Sequence, residues 1–288
     1  MKIAALQRVS TPDVERNLAA AARLLEQAAM AGAQLAALPE HFALLGRRDE
    51  DKLAIAEAQG DGPIQRFLAA QARTHRMWLV GGTLPLREPG QPRVRNSSLA
   101  FAPDGRLAAR YDKVHLFAFD NGREQFDEAR VLEPGSQPVA LQAGPLRVGL
   151  SVCYDLRFPE LYRALMSPPC DLLCVPSAFT YPTGQAHWEV LLRARAIENQ
   201  CVVLAPAQGG LHENGRRTWG HSMIVDPWGE VLALLAEGEG VVLAEVDTAR
   251  RDAVRTQLPA LRHRRLHAGG DGSSDAQSPQ RTRSAAIG

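Results

Sequence analysis

Cys153 occupies a position that could suit a catalytic nucleophile. It follows the apolar segment Leu146–Val152 and comes shortly before Pro159, a residue type that often begins a helix. A turn from a strand into a helix places a side chain beside free backbone N–H groups, which can stabilise developing negative charge. Taken alone, this local pattern favours a simpler interpretation, in which Cys153 is a buried cysteine at the end of a strand.

A carboxylate and an ammonium group occupy positions comparable to that of Cys153. Glu40 follows the apolar segment that ends at Leu38, and Lys113 follows the one that ends at Tyr111. Sites in α/β sheets form at the carboxyl ends of strands, so these three groups could meet. A carboxylate can take the proton of a thiol, and an ammonium can stabilise both the thiolate and an oxyanion. Spacing alone leaves open an ordinary surface ion pair between Glu40 and Lys113.

Strand and helix patterns alternate along most of the chain and must position these groups. Turn residues at 103–105 and 226–229 predict two hairpins. Thr11 is expected to cap the first helix, with Pro12 at its first position. The mixture of parallel and antiparallel signals predicts a layered α/β fold in one domain. Strands are predicted at residues 2–6, 35–38, 77–80, 97–102, 107–111, 146–152, 172–175, 201–205, 223–225, 231–235 and 241–246, and helices at 14–30, 63–75, 159–166 and 185–199.

Composition and charge argue against several other classes of protein. The 288 residues include 33 basic and 32 acidic side chains, a net charge of +1 that argues against a general nucleic-acid binder. No apolar run approaches the roughly 20 residues that span a bilayer, so no membrane segment is expected. Residues 1–13 resemble a strand followed by polar chain rather than a signal peptide, and we expect a cytoplasmic protein.

The remaining cysteines and the C-terminal residues are interpreted as structural or solvated. Cys170, Cys174 and Cys201 lack the spacing of a zinc site, so we expect small apolar core residues and no metal. Residues 1–265 are predicted to form the domain. The polar, nonperiodic residues 266–288 are expected to be a disordered tail.

Three separate motifs, in order, resemble the signatures of the nitrilase superfamily of carbon–nitrogen hydrolases. They are LPEHF (residues 38–42), YDKVHLF (111–117) and SVCYDLRFPELYR (151–163), and further agreement runs through residues 177–203 and 219–233. The resemblance covers residues 1–265 and implies a four-layer αββα sandwich.

The resemblance also implies a mechanism based on a Glu-Lys-Cys triad, which falls on Glu40, Lys113 and Cys153. Glu40 would take the thiol proton, and the thiolate of Cys153 would attack an amide carbon. Lys113 and the Tyr154 N–H would bind the oxyanion. The resulting thioester would be hydrolysed by a water that Glu40 activates, with neither a metal nor an organic cofactor.

Further site residues are expected around this triad. The resemblance implies a second glutamate between the lysine and the cysteine, which the segment EARVLEPG (128–135) places at Glu128, with Glu133 as the weaker candidate. Phe179 and Thr180 follow a predicted strand and are expected to face the substrate pocket with Tyr154.

Two segments, residues 188–198 and 220–229, look most like the deaminated-glutathione amidase branch. This implies hydrolysis of deaminated glutathione to 2-oxoglutarate and cysteinylglycine. The first alternative is an ω-amidase that hydrolyses 2-oxoglutaramate to 2-oxoglutarate and ammonia. An alternative of another class is a non-catalytic interaction module on the same fold. The resemblance also implies a homodimer or higher homo-oligomer, with the helices at 159–166 and 185–199 as the expected interface.

Several charged side chains have competing interpretations. Arg47, Arg48 and Arg123 lie in predicted loops and are candidates to bind the two carboxylates of deaminated glutathione, although the default interpretation of each is a solvated surface charge. Arg193 and Arg195 are expected to make structural ion pairs with acids such as Asp155 or Glu160. The two histidines at positions 187 and 221 are expected to be structural.

Overall fold

The computed structural model describes residues 1–120, 122 and 125–266, and two β-sheets dominate it. The first sheet contains seven strands: β1 (Lys2–Gln7), β2 (Leu35–Ala37), β3 (Trp78–Val80), β4 (Leu84–Arg87), β5 (Val94–Phe101), β6 (Leu107–Asp112) and β17 (Gly240–Glu245). The second contains six: β9 (Val139–Ala143), β10 (Leu146–Leu150), β11 (Leu172–Cys174), β12 (Val202–Ala205), β15 (Ser222–Val225) and β16 (Val231–Leu235). Two short antiparallel ribbons pair β7 (Ala118–Asp120) with β8 (Gln125–Asp127) and β13 (Gly209–Leu211) with β14 (Arg217–Trp219).

The direction of the strands brings their carboxyl ends together in each sheet. The first sheet has the order β17-β1-β2-β3-β5-β4, with β6 also paired to β5. In it β1, β2 and β3 are parallel, and β6 runs the same way because β5 is antiparallel to both β3 and β6. The second sheet has the order β16-β15-β12-β11-β10-β9, with β10, β11 and β12 parallel. Residues that follow β2, β6, β10 and β11 therefore lie where sites form in such sheets.

Alternation of side chains along the strands explains the four layers. Ile3 and Ala5 of β1 point into the core between the two sheets, whereas Ala4 and Leu6 pack in a second core beneath the helices. The helices are α1 (Val14–Met30), α2 (Asp51–Ala54), α3 (Pro63–His75), α4 (Pro159–Ala164), α5 (Tyr181–Asn199) and α6 (Thr248–Gln257). In the first outer layer α1 and α3 pack on the first sheet, and in the second α4 and α5 flank the other sheet. The αββα arrangement is the expected one.

One predicted helix cap and one predicted helix start are wrong. The cap of α1 is Asp13 rather than Thr11, because the Asp13 carboxylate accepts a hydrogen bond from the Arg16 N–H at 3.0 Å. Pro12 therefore precedes the cap. Helix α5 begins at Tyr181 instead of residue 185, since a proline in the first turn lacks an N–H that would be unpaired there anyway.

Helix α6 has no counterpart among the predicted elements. It is capped by the Asp247 carboxylate and buries one side chain, Val254, so its sequence lacks the apolar periodicity by which helices are recognised. None of the described helices is long and apolar enough to cross a membrane. The predicted tail, apart from Leu266, lies outside the described residues.

Candidate active site

A strained turn presents Glu40 after β2. His41 has a positive φ of 58°, and its N–H donates to Thr83 Oγ1 at 3.0 Å. Gly82 fits tightly against this turn, since a Cβ there would clash with the carbonyl oxygen of Pro39. Such a conformation persists only where the surrounding packing enforces it, and it holds the Glu40 carboxylate at a fixed place in the interior.

A second strained turn presents Cys153 after β10. Cys153 has a φ of 49°, a left-handed conformation that is unusual for a residue with a side chain. It begins a short 3₁₀-helix, Cys153–Arg157, within which the buried Asp155 carboxylate accepts hydrogen bonds from the Val152 N–H at 2.9 Å and the Tyr111 hydroxyl at 2.7 Å. Asp155 thereby ties the cysteine turn to the strand that precedes Lys113.

Lys113 lies between two carboxylates in the interior. Its Nζ is 2.9 Å from Glu40 Oε1 and 2.8 Å from Glu128 Oε2. Asn96 Nδ2 also donates to Glu40 Oε1 at 2.9 Å, and the Phe117 N–H donates to Glu128 Oε2 at 2.7 Å. Burial alone would lower the pKa of Lys113, but the charges of Glu128 and Glu40 outweigh it and raise this pKa well above its usual value. The ammonium therefore stays charged.

The thiol of Cys153 is held in its neutral form beside this cluster. Burial raises its pKa well above the usual value, and the charge of Glu40 and a hydrogen bond to that carboxylate raise it further. The charge of Lys113 and a backbone contact at Ala178 act in the opposite direction. A proton acceptor must therefore remove the thiol proton when Cys153 reacts.

The structure brings all four sequence candidates for catalysis together: Glu40, Lys113, Glu128 and Cys153. The alternative second glutamate, Glu133, lies elsewhere and pairs with Arg93 at 2.8 Å. Glu40, Glu128 and His41 offer atoms close enough to hold a metal ion, but the Lys113 ammonium already supplies the positive charge between the two carboxylates.

A pocket of about 630 Å³, including its open mouth, leads to Cys153. Tyr154, Phe179 and Thr180 line it. Phe117 packs edge-on against Tyr154, with 5.1 Å between ring centroids, and adds apolar wall. The pocket combines an apolar wall with charged groups at its bottom, an arrangement common in small-molecule sites.

Among the described residues, the cations that line the pocket differ from the predicted ones. Arg47 and Arg48 lie outside the lining, where their backbone N–H groups bind the Asp51 carboxylate, and Arg123 lies outside the described residues. The side chain of Arg48 is 78% exposed. The cations in the lining are instead Lys52, Arg157 and Arg216.

The arginines of α5 are structural, but their partners differ from the predicted acids. Arg195 is buried and donates to the Leu156 carbonyl oxygen from Nη2 at 2.8 Å and from Nε at 3.1 Å, while pairing with Glu198. Arg193 donates to the Gly229 carbonyl oxygen at 2.9 Å. Asp155 is already saturated by donors from its own turn and its neighbours, which explains why Arg195 holds the cysteine turn through a carbonyl group.

The two histidines associated with α5 differ in position. The Nδ1 atom of His187 is 3.2 Å from Nη1 of Arg157, so this histidine contacts a cation of the pocket. His221 stacks on Trp219, and its carbonyl oxygen accepts a hydrogen bond from Trp188 Nε1 at 2.8 Å. His221 is structural, as expected, and links α5 to the strand that follows.

Comparison with known proteins agrees with this geometry. The family model for carbon–nitrogen hydrolases matches residues 2–256. The chain belongs to this family. The deaminated glutathione amidase of Synechocystis sp. is 43% identical to this carbon–nitrogen hydrolase over 265 residues, covering 91% of the chain and 97% of the relative. That of Homo sapiens is 41% identical over 273 residues, covering 91% and 82%.

A solved structure supports the same assignment for this carbon–nitrogen hydrolase. Nit3 of Saccharomyces cerevisiae, a member of branch 10 of the nitrilase superfamily, has a TM-score of 0.83 at 30% identity, covering 92% of the chain and 97% of Nit3. The superfamily and the fold expected from the three motifs are confirmed.

Proposed function

We propose that this carbon–nitrogen hydrolase cleaves deaminated glutathione to 2-oxoglutarate and cysteinylglycine through a thioester on Cys153. The observation that carries the chemistry is the buried cluster of Glu40, Lys113 and Glu128 beside a neutral thiol at the base of a pocket. The choice of substrate is supported by the relatives named deaminated glutathione amidase. Such a buried cluster argues against a non-catalytic module, because unused buried charges are costly.

In the first half-reaction Glu40 takes the proton of Cys153 as sulfur attacks the side-chain amide carbon. The carbonyl π electrons move to oxygen, and the resulting oxyanion is stabilised by the Lys113 ammonium and the Tyr154 N–H. When the tetrahedral intermediate collapses, the C–N bond breaks and Glu40 gives its proton to the departing amine. The acyl group remains on sulfur as a thioester.

In the second half-reaction a water replaces the departed amine. Glu40 takes a proton from this water, hydroxide adds to the thioester carbon, and Lys113 again stabilises the oxyanion. The C–S bond then breaks and the sulfur regains its proton from Glu40. Glu128 holds the Lys113 ammonium in place through both steps, since it contacts Nζ with both of its oxygens.

The positive charge of the pocket wall suits an acidic substrate. Arg157 lies over the rings of Phe179 and Tyr154, with its guanidinium carbon 5.3 and 5.8 Å from their centroids. Among the described residues it pairs with no carboxylate, and its side-chain hydrogen-bond partner is His187. The guanidinium of such an arginine can donate hydrogen bonds to a substrate carboxylate.

The substrate proposal predicts a preference that one assay can measure. Deaminated glutathione and 2-oxoglutaramate yield the same acyl product, so 2-oxoglutarate release reports on both. We expect kcat/KM to be at least about tenfold higher for deaminated glutathione, about 1.4 kcal/mol of transition-state binding, because only this substrate offers a dipeptide leaving group to the pocket. A tenfold preference for 2-oxoglutaramate would favour the ω-amidase alternative and leave the catalytic cluster unchanged.

We also propose that copies of the chain associate in the cytoplasm through the outer face of α5. Val190 and Ile197 project from this helix with 69% and 49% of their surface exposed, and Trp228 lies in the turn that follows β15. Apolar exposure of this kind marks interaction surfaces. Light scattering at micromolar concentration should give a dimer or larger oligomer, and a monomer would contradict the proposal.

The cytoplasmic location is tested separately by cell fractionation, which should recover the protein in the cytoplasmic fraction.

A further inference from the structure

The pocket mouth carries a group of three charged residues that the reaction steps above do not use. Lys52 in α2 and Arg216 in the turn between β13 and β14 both line the pocket, and Asp49 lies between them. Asp49 Oδ1 is 3.4 Å from Lys52 Nζ and 3.8 Å from Arg216 Nη1. These residues, here called the rim cluster, carry a net charge of +1.

The two cations of the rim cluster are poorly satisfied by the protein. The side chain of Lys52 is only 10% exposed, yet among the described residues its ammonium makes one long hydrogen bond, to Asp49. Arg216 makes no close side-chain hydrogen bond within the same part of the chain and lies over the Phe126 ring, 4.5 Å from its centroid. An ammonium has three donors and a guanidinium five, so both have donors free for a ligand.

The segment before α2 and the turn between β13 and β14 are held in place without the charges of the rim cluster. Asn214 Nδ2 donates to the Gly46 carbonyl oxygen at 2.6 Å, and the Leu45 N–H donates to the Thr11 carbonyl oxygen at 3.1 Å. These uncharged contacts already fasten the segment before α2. The charges of the rim cluster are therefore available for binding.

The rim cluster lines the pocket together with Glu40 and His41. His41 Nε2 is 3.9 Å from Glu40 Oε1, the group that protonates the departing amine in the proposed mechanism. Burial, followed by the positive charges of Lys52, Lys113 and Arg216, lowers the pKa of His41 well below its usual value. Lys52 follows the Glu40–His41 turn along the chain, and Asn214, two residues before Arg216, donates to the Gly46 carbonyl oxygen of the same segment at 2.6 Å. Arg157, in contrast, belongs to the cysteine turn.

We infer that Lys52 and Arg216 bind the terminal carboxylate of the cysteinylglycine half of the substrate. This inference rests on the proposed function. The catalytic group of Glu40, Lys113 and Glu128 has a net charge of −1, and the pocket lining offers positive charge at two separate places. Arg157 lies over the Tyr154 ring and Arg216 over the Phe126 ring, and Phe117 contacts both rings. A substrate with a carboxylate at each end and an uncharged amide between them matches this pattern. Ammonia as leaving group would make no use of the rim cluster.

The test pairs each cation with the substrate group that it should contact. Wild type, Lys52→Met and Arg216→Met are assayed with deaminated glutathione and with its C-terminal amide, whose glycine carboxylate is replaced by an uncharged group. In wild type we expect amidation to lower kcat/KM at least about tenfold, as for a lost charge-assisted hydrogen bond. In each variant the penalty for amidation should shrink several-fold, because the partner charge has gone.

The comparison between substrates separates binding from folding. A general defect lowers kcat/KM for both substrates equally and leaves their ratio at the wild-type value, and that result in both variants would overturn the inference. The matched control is Arg48→Met, which removes a charge from the same segment outside the pocket and should keep the wild-type ratio. Failure of the proposed function gives a different result. Wild type would then hydrolyse 2-oxoglutaramate but neither deaminated glutathione nor its C-terminal amide, and both the proposed function and this inference would be wrong.

Discussion

Replacing Cys153 with alanine is expected to abolish amide hydrolysis while leaving the fold intact. The thiol is the nucleophile of the proposed mechanism, and loss of an enzymatic nucleophile lowers kcat by a factor on the order of 10⁶. Alanine keeps the Cβ and leaves the Asp155 contacts that define the turn in place. Release of 2-oxoglutarate measures the activity, and thermal unfolding checks the fold.

Cys174→Ala provides the matched control for this prediction. Cys174 is also fully buried, and burial raises its pKa as well, but it lies within β11 rather than in the pocket lining. Its loss should cost some packing energy and leave kcat close to wild type. Unchanged activity in Cys153→Ala, or loss of activity in Cys174→Ala without unfolding, would mean that the wrong cysteine has been assigned.

Glu40→Gln is expected to reduce kcat by a factor of about 10²–10⁴, the usual contribution of general acid–base catalysis. Glutamine can still accept hydrogen bonds from Lys113 and Asn96 through its carbonyl oxygen, so the cluster keeps its shape. It cannot take the thiol proton, and it cannot activate water, so acylation and thioester hydrolysis should both slow. Single-turnover kinetics with deaminated glutathione resolve the two steps.

Glu133→Gln is the control for Glu40→Gln, because it removes a carboxylate that pairs with Arg93 away from the pocket. Its kcat should match wild type, and a near-wild-type kcat for Glu40→Gln would contradict the assigned role.

Lys113→Met tests the mechanism less specifically. It would leave Glu40 and Glu128 buried without their shared counter-charge, so stability and activity would fall together.

The positions of the catalytic candidates could be predicted because strand ends are visible in the sequence. Apolar runs before Glu40, Lys113 and Cys153 indicated three strands, and parallel strands in a sheet end at one edge. The resemblance carried by the three motifs implies that the two sheets pack against each other. Apolar periodicity alone does not specify this packing. Glu128 is predicted only through the resemblance, since it follows a short exposed ribbon with no core pattern.

The cations of the pocket could not be predicted, for a physical reason. Lys52 and Arg216 lie on a one-turn helix and in a hairpin turn, where side-chain direction depends on long-range packing rather than on a local period. Arg47 and Arg48 have the same charge and nearly the same position in the chain as Lys52. The Asp51 carboxylate binds their backbone N–H groups, and their side chains lie outside the pocket.

The error at the cap of α1 has a comparable origin. Thr11 and Asp13 are both good capping residues, and the sequence does not show which adopts the extended conformation before the first turn. In the structure Asn17 Oδ1 accepts hydrogen bonds from the Thr11 N–H and hydroxyl, which leaves Asp13 to cap the helix. Tertiary contacts thus decide which of the two capping residues, Thr11 or Asp13, caps the helix.

Trapping the acyl-enzyme is the most direct test of the central claim that Cys153 forms a thioester with the substrate. Enzyme mixed with excess deaminated glutathione is quenched in acid during the first turnovers and analysed by intact-protein and peptide mass spectrometry. The account predicts one added 2-oxoglutaryl group per chain, located on the peptide that contains Cys153 and absent from Cys153→Ala. First-turnover product without any covalent species, or an adduct on a different side chain, would contradict it.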